Sequence, residues 1–263
     1  MDERKLDSKK AEILAIWYLR FNGYFTVDSY TLHASDVSDR IRRDKVRNLT
    51  EIDILGIRHK FNKEMPGVRL QNDDKILHPE EPFVDFIIAE VKTGNERGLN
   101  TFWNRKNDKN EIPKLVADIE YILGFAGFIK ESVTVNEAAN EIARRGLYLA
   151  SDKTFGIRLV LISEKEANQN WKNITNVLLN DVIDFFVEKR NCWSDEGIAF
   201  ASIHCQWNPL INKIFEISNN QTLNPDLRKQ KIRELLQEDT KEDLLWLRIL
   251  RYLTQKFGFA NRK

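Results

Sequence analysis

The sequence predicts an α/β domain followed by a helical C-terminal region. Two observations carry this reading. Up to about residue 165, apolar runs at helical spacing alternate with short runs rich in β-branched and aromatic residues, in the order helix, three strands, helix, strand. From about residue 171 onward, stretches at helical period take over.

Residues 8–22, SKKAEILAIWYLRFN, set Ile13, Leu14, Ile16, Trp17 and Leu19 to Phe21 on a broad apolar face, with Ser8 as the expected N-cap and Gly23 as the stop. YFTVDSYTL (24–32) reads as a strand starting directly after the glycine, and EIDILGI (51–57) and FVDFIIAEVK (83–92) as two more. About 25 residues separate the last two; they include KEMPGVRLQNDDKILHPEEP, too long and too rich in Pro and charge for a tight hairpin, and read as an insertion able to fold over a neighbouring site. Helices are expected at 112–128, with Pro113 in the first turn, and at 135–146, ending at glycine. LYLAS and GIRLVLIS follow as strands, the second apolar throughout, as in a sheet covered on both faces. WKNITNVLLNDVIDFFVEKR, PDLRKQKIRELLQE and KEDLLWLRILRYLTQKF read as helices, interrupted by a strand at IAFASIHCQW. The expected organisation is therefore residues 1–168 as one domain and 169–263 as a mainly helical region.

Composition narrows the function classes. With 41 basic and 40 acidic residues the net charge is +1, so the field of the whole molecule does not mark a nucleic-acid binder and local patches must carry any such reading. A hydrophobic fraction of 42% with 31% charged residues describes an ordered globular chain. Cys192 and Cys205 fit neither a disulfide framework nor a zinc site and read as buried thiols. No signal-type segment follows the charged MDERKLDSKK, and no apolar run is long enough to span a bilayer. The expectation is a cytoplasmic protein with no membrane contact, in which the Asn-x-Thr triplets at Asn48, Asn173 and Asn220 carry no glycans.

Two of the strands hold charges where a strand core should be apolar. Side chains two apart in a strand share a face, so Glu51 with Asp53, and Glu90 with Lys92, form two polar pairs, while Ile52, Ile54, Ala89 and Val91 are expected to face the other way into the core. If the strands are neighbours, all four charges converge. A paired Asp and Glu offer the hard oxygen ligands that Mg²⁺ or Mn²⁺ takes in octahedral geometry, and a lysine beside them can orient a water and stabilise charge building on a phosphate.

The succession EID (Glu51, Asp53) then EVK (Glu90, Lys92) resembles the PD-(D/E)xK nuclease superfamily, which includes many restriction endonucleases and the archaeal Holliday-junction resolvases. The resemblance extends upstream to AEILAIWYLRFNGY, similar to the first helix of resolvase-like members, which makes Glu12 the counterpart of the family's helix carboxylate. It covers roughly residues 8–165. Two features depart from the family: the long spacer between the second and third strands, and the missing proline, since Leu49, Thr50 and Glu51 precede Asp53. The resemblance implies a restriction-endonuclease-like core with a central mixed sheet flanked by helices. It further implies a Mg²⁺- or Mn²⁺-dependent endonuclease hydrolysing DNA, in restriction or phage defence or in DNA repair. Asp53, Glu90, the Val91 backbone carbonyl and Glu12 would hold metal, with Lys92 positioning the water.

Basic stretches flank the motif. DRIRRDKVR carries Arg40, Arg42, Arg43, Lys45 and Arg47, and NERGLNTFWNRKNDK mixes Arg97, Arg105 and Lys106 with Phe102 and Trp103, a combination able to neutralise phosphates and stack on bases. The tail with Arg248, Arg251 and Lys256 has a Leu and Trp stripe suited to packing or to a homodimer or partner contact. Asp85 is expected on the opposite face from Glu90, and His33, His59, His78 and His204 lack ligand spacing. Two alternatives stand beside the nuclease: a catalytically silent nucleic-acid-binding or assembly subunit of the same fold, and an interaction protein whose charged strand residues form a salt-bridged ladder.

Overall fold

The structure, a computed structural model, describes residues 6–34, 47–59, 74–77, 82–104, 106, 109–125, 132–189 and 208–237. Helix α1 (Ser8–Phe21) opens the fold. Its N-cap is Asp7, one residue earlier than the sequence suggests: the Asp7 carboxylate accepts the Lys10 N–H at 2.9 Å, and Ser8 is already helical. Gly23, at φ 87°, turns the chain out of the helix. The strands β1 (Phe25–Ala34) and β2 (Arg47–His59) pair antiparallel, and after a short helix α2 (Asp74–Leu77), β3 (Val84–Lys92) pairs antiparallel with β2.

Helices α3 (Thr101–Asn104), α4 (Ile112–Phe125) and α5 (Ser132–Arg145) lead to β4 (Leu147–Leu149) and β5 (Phe155–Ser163). β5 runs parallel to β3 along its whole length, in register from Val84 opposite Phe155 to Lys92 opposite Ser163. On its far side, the first half of β5 pairs antiparallel with β4, and its second half pairs parallel with β6 (Thr175–Leu178). The result is a mixed six-stranded sheet of order β1-β2-β3-β5-β4, with β6 on β5.

Two apolar layers hold this sheet between helices. On one face Ile54, Ile87, Ala89, Val160 and Ile162 meet Leu14, Tyr18 and Leu19 of α1. The same cluster takes in α6 (Leu179–Asp184), the π-helical turn Phe185–Lys189, α7 (Pro209–Ser218) and α8 (Pro225–Gln237). On the other face Phe86, Ile88, Ile157, Leu159 and Leu161 meet α4 and α5 through Leu115, Ile119, Ala139 and Ile142. Each fully buried Leu or Ile contributes on the order of 1.5–3 kcal/mol, so these two layers are the main support of the sheet.

The stretch read from sequence as one helix from 171 differs. Thr175–Leu178 is a strand, and the helix starts only at Leu179. Residue 168, the expected domain boundary, lies between β5 and β6, which pair; core residues on both sides of it share one cluster. The expected strand at IAFASIHCQW, both cysteines, the basic stretch at 40–45, and the tail with Arg248 and Arg251 lie outside the described residues, as does most of the insertion before β3. Among the described residues no helix is long and apolar enough to cross a membrane.

Candidate metal and phosphoryl-transfer site

The β2–β3 ladder ends at Ile54 opposite Ala89. Beyond this pair the two strands carry the polar residues. There Asp53 turns its carboxylate onto β3, where Oδ2 accepts the Val91 N–H at 2.7 Å. In a strand the N–H and C=O of one residue point to the same side, so the Val91 carbonyl also faces β2. The Lys92 carbonyl, by the same alternation, faces β5, where it accepts the Glu164 N–H at 3.2 Å.

Glu90 is 1% exposed and held by three donors. The Trp103 indole N–H donates to Oε1 at 2.8 Å, the Asn100 N–H donates to Oε2 at 2.7 Å, and Lys92 Nζ lies 3.2 Å from Oε2. Burial raises the Glu90 pKa; Lys92 and the Asn100 N–H work the other way, and Asp53 adds to the rise. At Lys92, burial works against the charge, but the Glu90 and Asp53 carboxylates outweigh it, and the ammonium is held above its ordinary pKa. Glu12, half-buried on α1, has its pKa raised first by burial and then by Asp53 and Glu51, with Lys92 opposing. The five residues named from sequence therefore share one local field.

One expectation is corrected. Ile52 does not accompany Ile54, Ala89 and Val91: it belongs to the α4/α5 layer, whereas those three belong to the α1 layer. The strand alternation breaks at Asp53. The β1–β2 ladder pairs Asp28 with Ile54 and Tyr30 with Ile52, and Ser29 between them has φ 51°, a left-handed conformation that interrupts a strand's two-residue period. The break lies opposite the residue that leaves the ladder to reach Val91.

Phe102 and Trp103 are also corrected. Both are buried, paired edge-to-face at 4.8 Å in the α4/α5 layer, and so cannot stack on bases. Trp103 instead orients Glu90. Asp85 lies outside the site, in a buried network where the Arg158 Nη2 and Nε donate to its carboxylate at 2.7 and 3.1 Å and the Tyr24 hydroxyl donates to it as well. Three residues that the sequence did not single out complete the neighbourhood: Asn100, whose backbone binds Glu90, Trp171, and Glu164. The Glu164 carboxylate accepts the Leu6 N–H at 3.0 Å and the Gly94 N–H, tying the entry to α1 to the turn that follows Lys92.

The donor set suits a hard divalent cation, being all oxygen: Asp53, Glu90 and the Val91 carbonyl. A carboxylate offers about four lone-pair positions, so three contacts leave Glu90 one. Among the described residues no three His, Cys, Asp or Glu groups come together as a metal cage. An ion here would be of the kind held by one or two carboxylates, with waters and substrate oxygens filling the octahedron.

The chain matches no protein-family model, no curated protein and no solved structure.

Proposed function

We propose that this chain is a Mg²⁺- or Mn²⁺-dependent endonuclease that hydrolyses DNA phosphodiesters, with restriction, phage defence or DNA repair as its setting. The reading rests on the residues themselves and on the resemblance of EID…EVK to the PD-(D/E)xK superfamily. The observation that carries it is the pairing of Lys92 Nζ with Glu90 Oε2 at 3.2 Å at the end of β3 where Asp53 crosses from β2 to the Val91 amide.

Each residue has a role that its surroundings suit. Asp53 and Glu90 hold the ion, with the Val91 carbonyl as a third oxygen, and Glu12, on α1 within the fields of Asp53 and Lys92, as a further carboxylate. Trp103 and Asn100 fix the orientation of Glu90 through two hydrogen bonds. Lys92, kept cationic at neutral pH by its two carboxylate neighbours, orients the attacking water and meets the negative charge that grows on the phosphate. The metal, when bound, acidifies that water and polarises the phosphoryl group.

A second reading, a silent nucleic-acid-binding subunit, is favoured by one observation: three donors within the protein already occupy the Glu90 carboxylate. Cleavage of supercoiled plasmid, linear duplex, single-stranded DNA and RNA in Mn²⁺ separates the two. The nuclease cuts at least one of these; the silent subunit binds and cuts none.

A further inference from the structure

Lys106, Ile112, Ala143, Arg144 and Asn170 line a groove of about 330 Å³ on the α4/α5 side of the sheet. Among the described residues that line it, two are cationic and none is acidic. Lys106 is held ready rather than left to wave in solvent: its Nζ donates to the Asn170 carbonyl at 2.9 Å and lies 3.4 Å from the centroid of the Trp171 ring. An ammonium has three N–H donors, so after the Asn170 contact there is donor capacity for an anion in the groove. Arg144, in the last turn of α5, is exposed.

This groove is coupled to the candidate site through short-range contacts. The Trp171 indole N–H donates to Asn104 Oδ1 at 3.0 Å, and Asn104 follows Trp103, which holds Glu90. The Asn168 N–H donates to the carbonyl of Arg97 at 2.7 Å, and Arg97 lies exposed in the loop leaving Lys92. The turn 168–171 thus joins the groove lined by Lys106 and Arg144 to the backbone of Arg97 and to the helix that orients Glu90.

We infer that Lys106 and Arg144 form a phosphate-binding subsite that grips the backbone of a polynucleotide away from the reacting bond. The inference rests on the nuclease reading for its choice of a nucleic acid, but the contact itself requires neither metal nor cleavage. Burial lowers the Lys106 pKa, and a phosphate beside the ammonium offsets that effect by favouring its charged form. A backbone subsite reads no sequence; it sets position and salt dependence.

The test is the binding of fluorescent single-stranded and duplex oligonucleotides to the full chain in EDTA, titrated with salt, for wild type, Lys106→Gln, Arg144→Gln and the double variant. Each lost phosphate contact on duplex lowers the slope of log K against log salt by about 0.9, so the double variant falls by about 1.8. Lys106→Arg, which keeps the charge, retains the wild-type slope and shows that a drop in Lys106→Gln is not misfolding. An unchanged slope in the double variant overturns the subsite, as does inorganic phosphate binding lost in the double variant while its oligonucleotide slope stays at the wild-type value. Failure of the nuclease reading looks different. A wild type that binds with the full slope but cuts nothing in Mn²⁺ leaves the subsite standing, and a wild type that cuts while the double variant keeps its slope removes the subsite alone.

Discussion

Replacing Lys92 by methionine keeps the side-chain volume and removes the cation from a carboxylate that is 1% exposed. At the observed 3.2 Å, an effective dielectric of about 20 gives a gross attraction of about 5 kcal/mol. Removing one partner of a buried pair typically costs about 3–5 kcal/mol net. Glu90 keeps its Asn100 and Trp103 donors, and the Lys92 side chain is 16% exposed, so a loss of about 2–3 kcal/mol at pH 8 is expected. The loss depends on pH in a defined direction. Burial holds the Glu90 pKa above its ordinary range, so its contribution to stability is fully present below the ordinary carboxylate value and lost as pH rises through the folded value. Without Lys92 the folded value climbs further, and the loss on the alkaline side grows. In acid Glu90 binds a proton, and the variant should then differ from wild type by less than about 1 kcal/mol, as for a tolerated packing change. Urea unfolding followed by tryptophan fluorescence at pH 4 and pH 8 measures both. Equal destabilisation at the two pH values would refute the buried pairing of Glu90 with Lys92.

Three further outcomes are expected. Trp103→Phe keeps the aromatic packing but removes the indole N–H from Glu90, and urea unfolding at pH 8 should show a loss of about 1.5–3 kcal/mol, as for a hydrogen bond to a charged group; a neutral result would remove Trp103 from the site. Asp85→Ala strands Arg158 in the core and should lower stability by about 3–5 kcal/mol in the same assay, whereas a change within about 0.5 kcal/mol would contradict the buried network. Cleavage should run with Mg²⁺ or Mn²⁺, run poorly with Ca²⁺, and stop in EDTA; cutting undiminished in EDTA contradicts the mechanism.

Much of the scaffold is legible in the sequence because it follows period. α1, β3, α4, α5 and β5 form where period expects elements, Leu14, Ile16, Leu19 and Phe21 of α1 are buried with Ile13 and Trp17 partly so, and β3 and β5 alternate cleanly between the two layers. What escaped was decided by tertiary contact. β6 was hidden because Thr175–Leu178 runs into Leu179–Asp184 with no glycine or proline to mark the change, and only pairing with β5 makes it a strand. The break that sends Ile52 to the other layer lies across from Ser29, a residue on another strand whose left-handed backbone no alternation rule anticipates. Phe102 and Trp103 sit among charged residues and suggested a wet surface, yet α3 folds both inward onto the α4/α5 layer. Asn100 and Glu164 act through contacts 10, 70 and 158 residues apart in the chain, distances over which local patterns carry no signal. Glu51, Asp53, Glu90 and Lys92 stood out because charge on apolar strands is conspicuous, whereas Glu12, on a helix, was nominated only by the family resemblance; in the structure Asp53, Glu51 and Lys92 all act on Glu12, and Asp53 acts on Glu90 and Lys92.

The most direct test of the central reading is single-turnover cleavage of plasmid DNA in Mn²⁺ by wild type and by Lys92→Met, with Mn²⁺ affinity measured on the same preparations. Wild type should cut, and the variant should bind Mn²⁺ and DNA while cutting on the order of 10² to 10³ slower, because the lysine acts on the water and the developing phosphate charge while Asp53 and Glu90 hold the ion. A variant that cuts at the wild-type rate would contradict this and leave Lys92 as the partner of a buried glutamate and nothing more.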